Sequence, residues 1–379
     1  MRGSVIFNGN IQAEADFVER AADSLRSSRH SDPGVVRAQK VVLVTAGWTD
    51  NEYQEAHIKK ALYGIGIEPD YQAGHDQRVQ NLALYHRYQE FLEKRPALAA
   101  AWQECESMME GARSQYLEKN SFFCASLRRS LQHLRDYLPN DSLADILDNT
   151  LLFSGRRGRL VSFLSNELRE MLQLLQANDD RMVQLLTDLD EQFAEDTGLA
   201  YDPLWISIRQ QLSECILSAN SLFLFGGNLG ALHRCLTFFR LRQPLLEALR
   251  RGTTFYTVSA GSLMCCERII IYNDFEHERE FQLYDRGFGL IRELQLFPHC
   301  MDRIQTDDRD NLTYLSHRFR HRVCVGLNQE SFLEVEFSPE VKATSLGTRD
   351  GVYVFDRQGN KARYGAGEVI LPRYESEKS

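Results

Sequence analysis

Ser259 is the residue whose type and surroundings point most directly to chemistry. It follows a strand-like run at 253–258 and precedes the small residues at 260–262. A serine at a sharp turn from strand to helix can act as a nucleophile, and the N–H of the next residue, Ala260, can then stabilise a developing oxyanion. The pattern therefore predicts a nucleophile elbow. An ordinary β-to-α turn is the alternative interpretation.

A second candidate site is the turn Gly226-Gly227-Asn228, which follows the apolar run 222–225. Glycines at the C-terminal end of a strand leave backbone N–H groups exposed, and these can bind a phosphate or complete an oxyanion hole. Because neither a GxGxxG nor a GxxxxGK[ST] pattern surrounds the turn, a nucleotide site is disfavoured. We predict an oxyanion or substrate-binding role, with a plain turn as the alternative.

His299 is the histidine that best fits the role of general base. It follows Pro298 after an apolar stretch that begins at 287, which would place its side chain at the end of a strand. A histidine with a purely structural role is the alternative interpretation. By contrast, His317 and His321 belong to the strongly basic run 316–322, which we interpret as a solvated helix face.

The sequence offers no recognisable frame for a metal ion or another cofactor. It contains no HExxH pattern, and His299 with Asp302 and Asp307-Asp308 does not match a known ligand spacing. The eight cysteines form no CxxC, and we expect them to be reduced and mostly buried. We therefore expect neither a cofactor nor a metal.

The elements around these residues indicate an α/β fold. The runs 41–44, 222–225 and 253–258 each lead into a helical pattern, which is the alternation typical of a parallel sheet. Strand patterns recur at 323–325, 332–335, 352–355 and 369–371. These C-terminal patterns predict paired strands that close one edge of the sheet.

Between residues 70 and 215 the sequence changes to helical periodicity. The apolar residues of 164–175, for example, recur every three or four positions, and no strand is predicted in this region. We predict an α/β domain at 1–69 and 216–379, with a mainly parallel central sheet flanked by helices. Residues 70–215 are predicted to form a large all-helical insertion domain.

Composition and charge exclude several classes of protein. The chain has 379 residues, of which 43% are hydrophobic and 26% charged, values that exclude disordered, collagen-like and coiled-coil classes. The net charge of −9 opposes attraction to nucleic-acid phosphates and anionic membranes. No run of 18 apolar residues and no signal-peptide-like segment is present, so we expect a cytoplasmic protein with no membrane partner.

Four segments, taken in order, resemble the peptidase E and cyanophycinase family of serine hydrolases, which has the class I glutamine amidotransferase-like fold. The matching segments are Phe225-Gly226-Gly227-Asn228, Thr257-Val258-Ser259-Ala260-Gly261-Ser262, Gly287-Phe288-Gly289-Leu290-Ile291 with Pro298-His299, and Val325-Gly326-Leu327-Asn328-Gln329-Glu330. They are similar to the family's glycine-rich loop, nucleophile elbow, histidine segment and acid segment. The resemblance covers the two α/β parts of the chain and leaves the helical insertion unexplained.

The resemblance implies a hydrolase in which Ser259 attacks an amide carbonyl and His299 takes and returns the proton. The N–H groups of Gly227 and Ala260 would hold the oxyanion. Members of the family act on short peptides with N-terminal aspartate or on β-aspartyl-arginine units. The implied partner is therefore a short peptide or amide substrate.

The acid position departs from the family pattern, because the family's glutamate falls on Gln329. We expect the Gln329 amide to point toward His299 and to hold its ring through a neutral hydrogen bond. Glu330 lies one residue further and could replace Gln329 if the loop register shifts. Phe225 and Thr257 also stand where the family has glycine, and they could narrow the pocket or alter the elbow.

Two hypotheses follow from these departures. The first is a serine hydrolase acting through a Ser-His dyad or a variant triad on a short, aspartyl peptide. The second is a degenerate module that senses a ligand and binds a protein partner, or a second copy of itself, through its helical insertion. The serine and histidine favour the first hypothesis, whereas Gln329 favours the second.

Overall fold

The computed structural model of the chain describes residues 2–10, 14–72, 74–148, 155–272, 281–337, 341–346 and 351–370. In these ranges the fold is α/β, with a mainly parallel central sheet and a long helical insertion, as the sequence predicted. None of the described helices combines the length and the apolar character needed to cross a membrane.

The strands are β1 (Ser4–Asn8), β2 (Val41–Val44), β3 (Tyr71–Gln72), β4 (His75–Asp76), β5 (Val79–Asn81), β6 (Ser221–Leu224), β7 (Thr254–Val258), β8 (Arg268–Tyr272), β9 (Phe281–Arg286), β10 (Leu294–Pro298), β11 (Val323–Leu327), β12 (Phe332–Glu336), β13 (Lys342–Ser345), β14 (Val352–Phe355), β15 (Lys361–Tyr364) and β16 (Val369–Ile370).

The α-helices are α1 (Glu14–Arg26), α2 (Pro33–Ala38), α3 (Ala56–Gly64), α4 (Leu84–Lys94), α5 (Pro96–Arg135), α6 (Leu143–Asp148), α7 (Gly155–Thr197), α8 (Pro203–Leu217), α9 (Leu229–Phe238), α10 (Arg242–Arg251), α11 (Ala260–Cys265), α12 (Cys300–Arg303) and α13 (Arg309–Arg318). Short 3₁₀ turns occupy Ala46–Asn51 and Leu199–Tyr201.

The central sheet has the described strand order β16-β13-β12-β1-β7-β6-β2-β5. The neighbours from β1 to β5 in this order are parallel, whereas β12, β13 and β16 add an antiparallel edge. Alternate strand residues enter two separate cores, as Val42 and Leu43 do on β2. Burial of both faces explains why these strands read as continuous apolar runs in the sequence.

A second sheet, with the order β10-β11-β14-β15, lies beside the central sheet. The pair β10 and β11 is parallel, and β14 and β15 continue from it antiparallel. The sequence predicted that the C-terminal strands close one edge of the sheet, and this prediction is wrong. These strands belong to two sheets, because β11 pairs with β10 and β14 whereas β12 pairs with β1 and β13. Only a short loop separates β11 from β12 in the chain.

The prediction that no strand lies within 70–215 is wrong. The strands β3 and β4 form a hairpin, and β5 pairs in parallel with β2 at the edge of the central sheet. Each has two or three residues, which is too short for a period-2 pattern to emerge in the sequence. The α/β part thus continues to Asn81, and the helical region begins at α4.

The helical region is built on two long antiparallel helices, α5 and α7. Near the sheet, Trp102 of α5 packs against Phe193 of α7 and Phe238 of α9, with ring centroids 4.8 and 5.3 Å apart. At the far end the same helices have a separate core, which includes Leu134 and Leu168. The part of α5 and α7 near the sheet shares the main core, so a separate helical domain at 70–215 stays a prediction.

The basic run 316–322 is not a solvated helix face throughout. Arg320 and His321 are exposed, but Arg318 is buried and donates hydrogen bonds to both carboxylate oxygens of Asp179, at 2.7 and 3.0 Å. Tyr116 donates to the same carboxylate and accepts from Arg318. The buried arginine therefore joins α13 to the inserted helices α5 and α7.

Candidate functional site

Ser259 occupies a strained turn between β7 and α11. Its backbone has φ 50° and ψ −112°, a conformation that costs a non-glycine residue about 1–3 kcal/mol. Small neighbours allow this turn, because a Cβ on Gly261 would stand 2.1 Å from the Leu224 carbonyl oxygen. The chain thus turns sharply from strand to helix at Ser259, and a nucleophilic role for this turn stays a prediction.

His299 follows β10 in the second sheet and also has positive φ, at 54°. Its Nε2 lies 3.0 Å from Ser259 Oγ, so the two sheets bring the predicted pair into hydrogen-bond contact. The serine and the histidine are both half-buried. Burial lowers the pKa of His299, and Asp302 raises it by a smaller amount. The ring is therefore neutral near pH 7 and can accept a proton.

The loop Gly226-Gly227-Asn228 lies directly against the elbow. A Cβ on Gly226 would stand 3.1 Å from Ser259 Cβ and 3.2 Å from the nitrogen of Ala260. Asn228 starts α9, where its side chain accepts a hydrogen bond from Ala231 N and its own N–H donates to Gly47 O. The N–H of Asn228 is therefore engaged elsewhere, and the N–H groups of Gly227 and Ala260 stay the predicted oxyanion donors.

The two residues that replace family glycines are accommodated away from the Ser-His contact. Thr257 is fully buried beneath the elbow and its hydroxyl lies 3.0 Å from that of Ser262. Phe225 is buried against Phe223 and Trp48, with ring centroids 5.8 and 5.3 Å apart. Neither side chain separates Ser259 from His299.

The loop between β11 and β12 carries the two predicted acid-position residues, Gln329 and Glu330, which are both half-buried. The expected hydrogen bond from the Gln329 side chain to His299 is absent among the described residues. The backbone oxygen of Gln329 instead accepts a hydrogen bond from Asn8 Nδ2 at 2.9 Å. A carboxylate that does act on His299 is Asp302, which the sequence had placed only among unsupported metal ligands.

Two concave surfaces lie near these residues. The first, of about 450 Å³, borders the oxyanion loop at Gly227 and is lined by Gly47, Trp48, Asn51, Gln54 and His57. The second, of about 650 Å³, lies between α5, α7, α9 and β9, and its lining includes neither Ser259 nor His299. The lining of the first surface also includes neither catalytic candidate, but this surface adjoins the elbow through Gly227, and it is therefore the candidate substrate subsite.

The cysteines near the elbow do not resemble reactive thiols. Burial raises the pKa of Cys266 and of Cys300 to about 12 each, and that of Cys265 well above its usual range. All eight cysteines are free. In the described ranges no cluster of three metal-ligating side chains occurs.

Sequence reasoning missed Asn8, Asn328 and Trp48, which lie around the Ser-His pair. Asn8 and Asn328 are buried, and each hydrogen-bonds to a loop of the site. Asn8 directly follows the short apolar run 5–7, and a polar residue in such a place is the sequence feature that could have identified one of them.

The part of the chain that contains the site also matches a model of a known protein family. Residues 177–338 match the family model described as Peptidase family S51, a range that contains the elbow, His299 and the acid-position loop. No curated protein matches the chain. A solved structure, the crystal structure of a peptidase from an acI-B1 Actinobacterium, aligns with 98% of this chain and 97% of its own at 13% identity and a TM-score of 0.48. Residues 177–338 of the chain thus resemble peptidase family S51, which confirms the predicted resemblance to the peptidase E and cyanophycinase family over this range.

Proposed function

We propose that this protein is a serine hydrolase that cleaves an amide or peptide bond in a short peptide, with Ser259 as nucleophile and His299 as general base. The observation that carries the proposal is the 3.0 Å contact between Ser259 Oγ and His299 Nε2 at a strained elbow. Membership of a serine peptidase family over this region supports the same chemistry.

The reaction would proceed by acyl transfer. His299 Nε2 takes the hydroxyl proton as Ser259 Oγ bonds to the substrate carbonyl carbon, and the Gly227 and Ala260 N–H groups stabilise the oxyanion. Collapse of this intermediate breaks the C–N bond, and His299 returns the proton to the leaving amine. Water, deprotonated by the same histidine, then bonds to the acyl carbon. The bond from that carbon to Ser259 Oγ breaks, and His299 returns the proton to Oγ.

The geometry favours a dyad supported by a weakly interacting carboxylate. Asp302 raises the pKa of His299, and it is exposed, so its charge is partly screened by water. Glu330 remains the candidate for a direct partner of the imidazole, because it lies in the family's acid segment and the Gln329 side chain makes no hydrogen bond to His299 within the described residues. An aspartyl peptide is the first substrate to test, since the family resemblance implies it.

The alternative function is a degenerate module that senses a ligand and binds a protein partner through the helical region. It is favoured by one observation, the neutral Gln329 where the family has an acid. Under this alternative the elbow and histidine would persist without turnover.

The test is covalent labelling of Ser259 by a fluorophosphonate probe, followed by hydrolysis assays with aspartyl dipeptides. We expect the native protein to be labelled and the denatured protein to be unlabelled, because reaction requires the neutral histidine beside the hydroxyl. Ser259→Ala should abolish both labelling and hydrolysis.

Ser213→Ala is a matched control, because the Ser213 hydroxyl donates only to the backbone of its own helix at Arg209 O. This variant should be labelled at the wild-type rate. If native wild-type protein is not labelled and no peptide is cleaved, the hydrolase proposal fails and the binding module becomes the better account.

A further inference from the structure

We propose that Asn8 and Asn328 are positioning residues that together hold His299 against Ser259. The inference rests on the proposed function for its catalytic meaning, but its structural content can be tested without turnover. Both asparagines lie outside the Ser-His pair, and Asn8 and Asn328 are only 1% and 6% exposed.

Asn8 lies at the junction between the elbow and the acid-position loop because of the strand order. It ends β1, which is paired on one side with β7, the strand before Ser259, and on the other with β12, the strand after the loop. The backbone oxygen of Asn8 accepts hydrogen bonds from Ser259 N at 3.0 Å and from Ser262 Oγ at 3.1 Å. The elbow is thus fixed to β1 through this one carbonyl.

The side chain of Asn8 fixes the loop on the other side. Its Nδ2 donates to the backbone oxygens of Gln329 and Ser331, at 2.9 and 3.1 Å. The chain after Asn8 also passes close to the loop, since a Cβ on Gly9 would stand 2.3 Å from the oxygen of Leu327. A single amide therefore satisfies two loop carbonyls.

Asn328 fixes the turn that carries His299. Its Oδ1 accepts hydrogen bonds from Met301 N at 3.0 Å and from Cys300 Sγ at 3.2 Å, immediately after the histidine. Its own carbonyl accepts from Ser331 N at 3.2 Å, which closes the loop on itself. Asn328 therefore connects the loop that Asn8 holds to the positive-φ turn at His299.

These bonds form a closed path from Ser259 through Asn8, the loop and Asn328 to the His299 turn, which the Ser259–His299 contact completes. The path matters because Ser259 follows the central sheet and His299 follows the second sheet, so no shared strand pair fixes their separation. In this protein two amides thus position the backbone around the imidazole, next to a segment where the family has an orienting carboxylate. Small displacements in such a pair slow acyl transfer strongly.

Aspartate substitutions at the two positions have opposite expected effects, because Asn8 acts as a donor and Asn328 as an acceptor. Asn8→Asp loses the donor and places a carboxylate beside two carbonyl oxygens, so fluorophosphonate labelling of Ser259 should slow about tenfold or more.

Asn328→Asp keeps both acceptor contacts and should be labelled at a near wild-type rate. The added charge should shift the pH midpoint of labelling upward, since a nearby anion raises the pKa of a histidine. Asn328→Leu, which loses the acceptor, should be slow.

Asn178→Asp is the matched control, because Asn178 is also buried and its Nδ2 also donates, to Tyr116 O and Asn120 Oδ1 in the helical region. This variant should lose stability without a change in labelling rate or pH midpoint. If Asn8→Asp does not fold, Asn8→Ser shortens the side chain and should slow labelling in the same direction.

A second readout separates this inference from the proposed function. The NMR signals of the His299 imidazole should shift, and its pKa should change, in Asn8→Asp and Asn328→Leu but not in Asn178→Asp. If wild-type protein is not labelled while these shifts occur, the positioning role of Asn8 and Asn328 is supported and the hydrolase proposal fails. Unchanged His299 signals in both site variants, or equal slowing by Asn8→Asp and Asn178→Asp, would overturn the inference.

Discussion

The protonation state of His299 is the single-residue property on which the proposed chemistry depends. Burial among apolar neighbours disfavours the imidazolium form and lowers the pKa, while Asp302 opposes this shift. Because the neutral ring is the reactive form, the residue is ready to act as a base over a wider pH range than an exposed histidine.

The rate of Ser259 labelling should rise with pH through a midpoint below about 6.5, the ordinary value for histidine. Asp302→Asn should move this midpoint to lower pH, because it removes the charge that raises the pKa of His299. The measurement is the labelling rate from pH 4 to 8 for both proteins. A midpoint that does not move in Asp302→Asn, or one above the ordinary value, would contradict this assignment.

The stability of the fold should depend on the same residue in a defined direction. A histidine whose pKa is lowered in the folded state binds its proton more readily when unfolded. The free energy of unfolding should therefore fall as pH falls from the pKa of the unfolded state toward the pKa of the folded state, because protons bind the unfolded state first. Above the unfolded pKa the contribution of His299 does not change with pH.

The elbow element depends on close approach between β6 and the start of α11. Gly226 and Gly261 allow this approach, since a Cβ at either would meet backbone atoms of the neighbouring segment within 3 Å. The positive φ of Ser259 is held in place by these contacts and by the bond from its N–H to Asn8 O.

Gly261→Ala should therefore distort the elbow, because the new methyl group would overlap the Leu224 carbonyl. We expect a loss of about 1–3 kcal/mol in unfolding free energy, together with slow labelling of Ser259. Urea unfolding and the labelling rate measure the two effects.

Gly64→Ala is the control for this substitution, because a Cβ at Gly64 has nothing within 4 Å. It should leave labelling unchanged and alter stability by less than about 1 kcal/mol. Wild-type labelling of Gly261→Ala would show that the close approach at Leu224 is not needed for the elbow.

At the scale of the whole molecule, a buried ion pair joins the helical region to the α/β part. Arg318 and Asp179 have side chains 1% and 9% exposed, and Tyr116 hydrogen-bonds to both. Removing one partner of such a pair destabilises the fold strongly, because the remaining charge stays buried without compensation. The helical region is thereby held to the body by a polar contact as well as by its shared apolar core.

Asp179→Asn should reduce the unfolding free energy by about 3–5 kcal/mol, since it leaves the Arg318 guanidinium uncompensated. The adjacent Asp180 is a built-in control, because it pairs with Arg268 from a side chain that is 69% exposed. Asp180→Asn should cost less than about 1 kcal/mol. Equal losses for the two variants in urea unfolding would show that the buried pair does not stabilise this interface.

Local sequence patterns were sufficient to identify the candidate site residues and the class of the fold. Ser259, His299 and the loop at Gly226 each lie at the end of an apolar strand, and strand ends are marked locally by composition and turn residues. Continuous apolar strands and helical periodicity are likewise properties of neighbouring residues. These features therefore predicted an α/β fold, a helical insertion and a Ser-His contact.

The contacts between groups far apart in the chain, by contrast, follow from tertiary packing. Asn8 bonds to a loop 321 residues away, and Arg318 is buried by a helix whose pairing no local pattern indicates. The edge strand β5 has three residues, so it exists because β2 offers a partner and not because of its own propensity. Contacts of this kind depend on the packing of whole elements, which is why the residues that hold the site could be found only in the folded chain.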